Sequence, residues 1–175
     1  DGTSMASPVA AGAAALIQSK FNYTNPMQIG ERLRQTCDPL AITGVNNTDS
    51  LYKNGYLGKG RINVYRALTE QNLKSLVISP IAITDGGDDV FMPAETLSIS
   101  ATFTNYLDAL NNAVATLSVA SVSAGNAPQI LGGGMFNLGP LATLAAKNNN
   151  TAPFKIVLDP SVPINQVVTF VITVT

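Results

Sequence analysis

The stretch LSISATFTNY constrains the chain most, because Leu97, Ile99, Ala101 and Phe103 alternate strictly with Ser98, Ser100, Thr102 and Thr104. A period of two puts the apolar set on one face of a pleated strand and the hydroxyls on the other, an arrangement no helix reproduces. The same alternation recurs at Phe154, Ile156 and Leu158, and at Val168, Phe170, Ile172 and Val174. Adding LKSLVIS and AVATLSVASVS gives at least five strand candidates, separated by Gly, Asn, Asp and Pro clusters. That spacing predicts an immunoglobulin-like antiparallel β-sandwich from about residue 73 onward, held by its inward apolar faces because a lone Cys37 cannot form an internal disulfide.

Residues 1–71 follow a different period. After Ser4, small and apolar residues run through Leu16 and Ile17 to Lys20, predicting a helix with Ser4 at its N-terminal end. Pro8 is tolerated in a first turn, where its missing N–H has no intrahelical partner, and so places the helix start near Ser4 to Ser7. Val9, Ala10, Ala11, Ala13, Ala14, Ala15, Leu16 and Ile17 leave almost no polar face, the pattern of a helix surrounded by other structure. A second helix is signalled by TNPMQIGERLRQTC, with Asn25 or Thr24 as cap, Pro26 at the first helical position, and Ile29 and Leu33 on one face. Glycines at 55, 58 and 60 then mark a tight turn before a short helical run through Val64, Ala67 and Leu68.

Composition narrows the function classes. A hydrophobic content of 46% supports a packed core, while a net charge of -1 with only 12% charged residues leaves no basic stripe to neutralise phosphates. The longest nearly apolar run, Val9 to Ile17, is too short to span a bilayer. Cys37 has no neighbouring ligands and reads as a small buried hydrophobe. In TDGGDD, Asp85, Asp88 and Asp89 could ligate calcium, but the loop lacks the glutamate and spacing of an EF-hand, so a solvated turn is expected. LGGGMFNLGP lacks the Lys and Ser/Thr of a phosphate loop and is assigned to a flexible connection.

The segment GTSMASP, continued by VAAGAAALI and followed later by GKGRINVYRAL, resembles the active-site serine segment and closing helix of the subtilisin-like serine proteases, the subtilases of peptidase family S8. The resemblance covers residues 1 to about 71 and departs from the commonest pattern at Val9, where many members have histidine. It implies that Ser4 is the nucleophile, that its backbone N–H is an oxyanion donor, and that Gly2 and Thr3 shape the approach. A hydroxyl at a helix N-terminus sits where free amides and the helix dipole stabilise a developing oxyanion. The family's base is a histidine oriented by an aspartate, both upstream of the serine, with an asparagine completing the oxyanion hole. Only Asp1, Gly2 and Thr3 precede Ser4, and the chain contains no histidine. Lys20, Lys53 and Lys59 could accept a proton, but nothing in their spacing places one beside Ser4.

The expectation is therefore an α+β chain: a helical C-terminal remnant of a subtilisin-like α/β catalytic domain over 1–71, then an immunoglobulin-like sandwich over 72–175. The resemblance implies a secreted or cell-surface serine endopeptidase acting on protein or peptide substrates, with this piece inert alone. No nucleic acid and no membrane span are expected, and the uncovered first helix is expected to expose an apolar patch prone to self-association. The contrasting expectation is a non-catalytic β-sandwich binding or structural module carrying protease remnants. The pattern of 73–175 also resembles immunoglobulin-like modules appended to secreted bacterial proteases, a likeness of fold and not of activity.

Overall fold

The computed structural model describes residues 2–39, 58–163 and 165–175. The chain divides into two compact units, Asp1–Ser75 with Tyr106–Asp108, and Leu76–Asn105 with Ala109–Thr175.

The first unit is helical. Helix α1 runs Thr3–Phe21 and ends where Asn22 turns into the left-handed region and donates its N–H to the Gln18 carbonyl. Only Ala13 and Ile17 of α1 are buried. Helix α2, Pro26–Gln35, starts as its sequence predicts: the Asn25 side chain accepts from the Met27 amide, Gln28 reaches back to the Asn25 amide, and Pro26 fills the first helical position. Its buried face differs from the expected one. Ile29 and Leu33 are half-buried, whereas Gln28, Glu31 and Arg32 are buried. The reason is a set of polar partners on distant segments. Arg32 donates to the Ala67 and Glu70 carbonyls and to the Tyr23 hydroxyl, with its guanidinium 3.8 Å over the Phe21 ring. Glu31 accepts from Arg34 and from the Ser75 hydroxyl. Ala67 and Glu70 lie at the C-terminal end of helix α3, Val64–Thr69, so Arg32 satisfies carbonyls that the helix itself leaves open.

Among the described residues the second unit holds eight strands: β1 Leu76–Thr84, β2 Thr96–Asn105, β3 Leu110–Val122, β4 Gln129–Leu131, β5 Met135–Leu141, β6 Ala146–Asn148, β7 Phe154–Val157 and β8 Val168–Val174. One antiparallel sheet has the order β1-β2-β7-β4, with β6 also on β2, and the other has the order β5-β3-β8. The predicted alternation places Leu97, Ile99, Ala101 and Phe103 in one core with Phe154 and Ile156 of the same sheet and Ala113, Ala115, Leu117 and Leu138 of the other. The sheets thus face each other across a shared apolar layer, with Phe103 and Phe136 stacked at 5.9 Å.

LGGGMFNLGP is not a flexible connection. Gly132–Gly134 form a tight 3-10 turn, and Met135–Leu141 is strand β5, paired with β3. All three glycines have positive φ, and a Cβ on Gly134 would press on Ile130 and the Leu117 carbonyl, so the residues that look like a linker are those the turn requires.

Two buried asparagines complete the ladders. Strand β2 pairs with β7 over Thr96–Ile99 and with β6 over Thr102–Thr104, leaving a gap between them. Asn149 fills it: its Oδ1 accepts from the Ala101 amide at 2.6 Å and its Nδ2 donates to the Ile99 carbonyl at 3.1 Å. Asn105 likewise donates to the Leu141 and Ala142 carbonyls.

Candidate functional site

The N-terminus of α1 carries Gly2, Thr3 and Ser4, the residues that the resemblance singles out for catalysis. Gly2 is the N-cap, at φ 155° and ψ 177°, a conformation that only glycine enters freely. Its carbonyl accepts from the Met5 and Ala6 amides, so the Thr3 and Ser4 amides are the first-turn donors with no intrahelical acceptor. Thr3 and Ser4 are both exposed. The positive end of the helix dipole and these amides favour an anion at this point.

Pro8 lies elsewhere than expected. Because α1 begins at Thr3, Pro8 falls inside the helix, past the first turn. Its absent N–H would have donated to the Ser4 carbonyl, which is left without its i+4 partner. The helix tolerates this because residues 2–9 are exposed and that carbonyl is open to solvent.

A serine hydroxyl needs a proton acceptor to become a nucleophile at neutral pH. The chain has no histidine, and among the described residues no side chain hydrogen-bonds to the Ser4 hydroxyl. Lys20 lies at the far end of the same helix, about 24 Å along the axis from Ser4 at 1.5 Å per residue. Lys59 sits in the turn before Gly60 with no described contact to Ser4. Lys53, Gly55 and Asp1 lie outside the described residues. The structure therefore brings Gly2, Thr3 and Ser4 together at one helix end, with no proton acceptor beside them among the described residues.

The glycine-rich segment before α3 has a defined structural task. Asp38 and Arg61 form a two-way backbone bridge, and the Asp38 carboxylate accepts from the Asn63 amide nitrogen at 3.0 Å and from Arg61 and Arg66 at 3.4 Å. Asn63 in turn caps α3 by accepting from the Arg66 amide. The Asn63 hydrogen bond, followed by those of Arg61 and Arg66, holds the Asp38 carboxyl below its ordinary range. Gly60, at φ 130°, passes so close that a Cβ would overlap the Asp38 carbonyl. The glycines read as a turn; the Asp38 backbone that Gly60 approaches lies more than twenty residues away and carries no local signal. Cys37 beside it is half-buried, donating to the Leu33 carbonyl at 3.2 Å. Burial, reinforced by Asp38 and opposed by Arg66, pushes its thiol up.

In the acidic loop the carboxylates serve their own turn. Asp85 accepts from the Gly87 amide at 2.7 Å and the Asp89 amide at 3.3 Å, and Asp88 from the Val90 amide at 3.0 Å. The Gly87 bond is the main reason the Asp85 carboxyl lies below its ordinary value. Among the described residues no group of three or more His, Cys, Asp or Glu side chains gathers in a way that could hold a metal ion. A cavity of about 230 Å³ opens between the two sheets, lined by apolar side chains including Phe91, Leu97, Ile156 and Phe170, with Asn165 and Gln166 as its amide side chains. No described helix is long and apolar enough to cross a membrane.

Comparison with known proteins places the N-terminal part of the chain. Residues 1–56 match the family model described as Subtilase family. No curated protein and no solved structure matches the chain.

Proposed function

We propose, from the subtilase match across residues 1–56, that this chain carries the nucleophile half of a serine endopeptidase active site, with Ser4 forming the acyl-enzyme. The single observation that carries the reading is the position of Ser4 within GTSMASP, exposed at the N-terminus of α1. In the proposed step Ser4 Oγ attacks the scissile carbonyl, a histidine takes the hydroxyl proton and passes it to the leaving amine, and the Ser4 amide helps to hold the oxyanion. Water then releases the acyl group from Ser4.

The histidine is not supplied by a chain that contains none; in this reading its aspartate and the side-chain oxyanion donor come with it. By itself the chain is inert in this reading, and the activity belongs to a protein in which those segments accompany it, secreted or at the cell surface. Loss of the histidine from such a triad costs about 10⁶ in kcat, which sets the scale of the deficit. The apolar residues that α1 presents to solvent support the same reading. Met5 is 69% exposed, Val9 64% and Leu16 53%, a surface suited to being covered by the rest of a catalytic domain. The two-sheet unit is read as an immunoglobulin-like accessory module.

A fluorophosphonate probe and a peptide substrate test the proposal. The 175-residue chain should neither react with the probe nor cleave the peptide. The protein carrying the Asp and His segments together with this chain should be labelled at Ser4 and lose cleavage on Ser4→Ala. Stoichiometric labelling of the chain alone would refute its inertness, and full activity of the Ser4→Ala enzyme would refute the assignment of the nucleophile.

A further inference from the structure

Among the described residues, strand β8 is the one edge strand longer than three residues that has no proline, glycine or charged side chain. Edge strands expose a row of unpaired N–H and C=O groups, and proteins blunt them with proline, charge, irregular register or short length. Strand β1 carries Pro80 and a register irregularity between Ile78 and Ile81. Strand β5 carries Gly139 and Pro140 and has two register shifts against β3. Strands β4 and β6 are three residues long, and β6 includes Lys147. Strand β8 reads VTFVITV over Val168–Val174, with no charge, proline or glycine, and among the described residues pairs with β3 alone; the register shift of that ladder, between Val119 and Ser121, puts its extra residue on β3 and leaves β8 regular.

Its side chains are equally unfinished. Val168, Phe170, Ile172 and Val174 point inward but stay half-buried, and Val171 on the outer face is 43% exposed. Between β8 and β1 lies an open groove whose walls and floor include Ile81, Ile83, Ile99, Leu117, Phe170 and Ile172. Ile81 is 54% exposed on its rim. The occupant that meets both the open backbone and the open apolar layer is an extended, uncharged strand of alternating apolar residues.

We propose that the occupant is β8 of a second copy of this chain, paired antiparallel about a two-fold axis through Val171. The strand is complementary to itself in that register. Val168 faces Val174 and Phe170 faces Ile172 on the inner side, while Thr169 faces Thr173 and Val171 faces Val171 on the outer side. These are aromatic to β-branched, aliphatic and Thr–Thr pairs, the kinds that stabilise antiparallel ladders, with no like charges to oppose them. A two-fold axis perpendicular to the sheet keeps both inner faces on the same side, so β5-β3-β8 becomes a continuous six-stranded sheet and the incoming strand stands over the groove. The surface is distinct from α1 and does not depend on the protease reading.

Light scattering after size exclusion, across a concentration series of the full chain, should show a monomer–dimer equilibrium. Val171→Lys places two ammonium groups across the axis and should weaken dimerisation about tenfold or more, with an unchanged circular dichroism spectrum. Val9→Lys, on α1, should leave the dimer intact. In a Cys37→Ser background, Val171→Cys should oxidise to a covalent dimer, because the symmetric pair lies directly across the ladder. A chain monomeric at all concentrations, a dimer indifferent to Val171→Lys, a dimer abolished by Val9→Lys, or no cross-link at position 171 would each overturn the proposal.

Discussion

Replacing Asn149 by alanine removes two hydrogen bonds from a side chain with no solvent exposure. The Ala101 amide loses its acceptor and the Ile99 carbonyl loses a donor, in a gap between β6 and β7 that no strand covers. An unmade buried polar group costs about 1–3 kcal/mol, so the pair predicts about 2–6 kcal/mol, centred near 3–4. For a unit of about a hundred residues, 3 kcal/mol lowers Tm by about 12–24 °C. Urea unfolding followed by circular dichroism measures the difference, with Asn148→Ala as control. Asn148 is exposed and, among the described residues, its side chain accepts only from the Asn150 amide, at 3.1 Å, so its removal should stay within about 0.5 kcal/mol. Asn149→Asp sharpens the test. Burial should raise the new carboxyl's folded pKa above its unfolded value. The variant is then most stable at acid pH, where the protonated acid can still donate to the Ile99 carbonyl, and loses stability as pH rises through the folded pKa. If Asn149→Ala costs less than about 1 kcal/mol, or no more than Asn148→Ala, the ladder-filling role is wrong.

Other substitutions probe the helical unit. Gly60→Ala forces a Cβ onto the Asp38 carbonyl at a φ of 130° and should cost about 2–4 kcal/mol, read as early loss of the 222 nm helical signal in urea. Arg32→Lys keeps the charge but cannot reach Ala67, Glu70 and Tyr23 together, and should lose about 2–3 kcal/mol in the same assay. Asp38 is held below its ordinary pKa, so its contribution is present above the unfolded value and lost as pH falls through the folded one. Acidification should loosen the helical unit, and Asp38→Asn should flatten that pH dependence of the 222 nm signal.

The parts of the fold legible in sequence are those set by near neighbours. Alternation from Leu97 to Phe103 could only be a half-buried strand, and Asn25, Pro26 and Gln28 spell a helix start within four residues. GTSMASP likewise put Ser4 at the N-terminal end of a helix, because a helix start is a local arrangement. Where the reading failed, the deciding partner was distant. Gly132–Gly134 looked like a linker until the turn between β4 and β5 showed what needed positive φ. Pro8 looked like a first-turn residue until Gly2 proved to be the cap.

Sequence by itself determined the two periods, the Asn25 cap of α2 and the motif around Ser4, together with the lack of any histidine. Tertiary structure alone decided that Arg32 and Glu31 are buried while Met5 and Val9 are exposed, that Asn149 completes a ladder, and that β8 is an open edge. The physical reason is that backbone period and capping are satisfied within a few residues, whereas burying a polar group is permitted only by the partner that the fold brings to it from elsewhere in the chain.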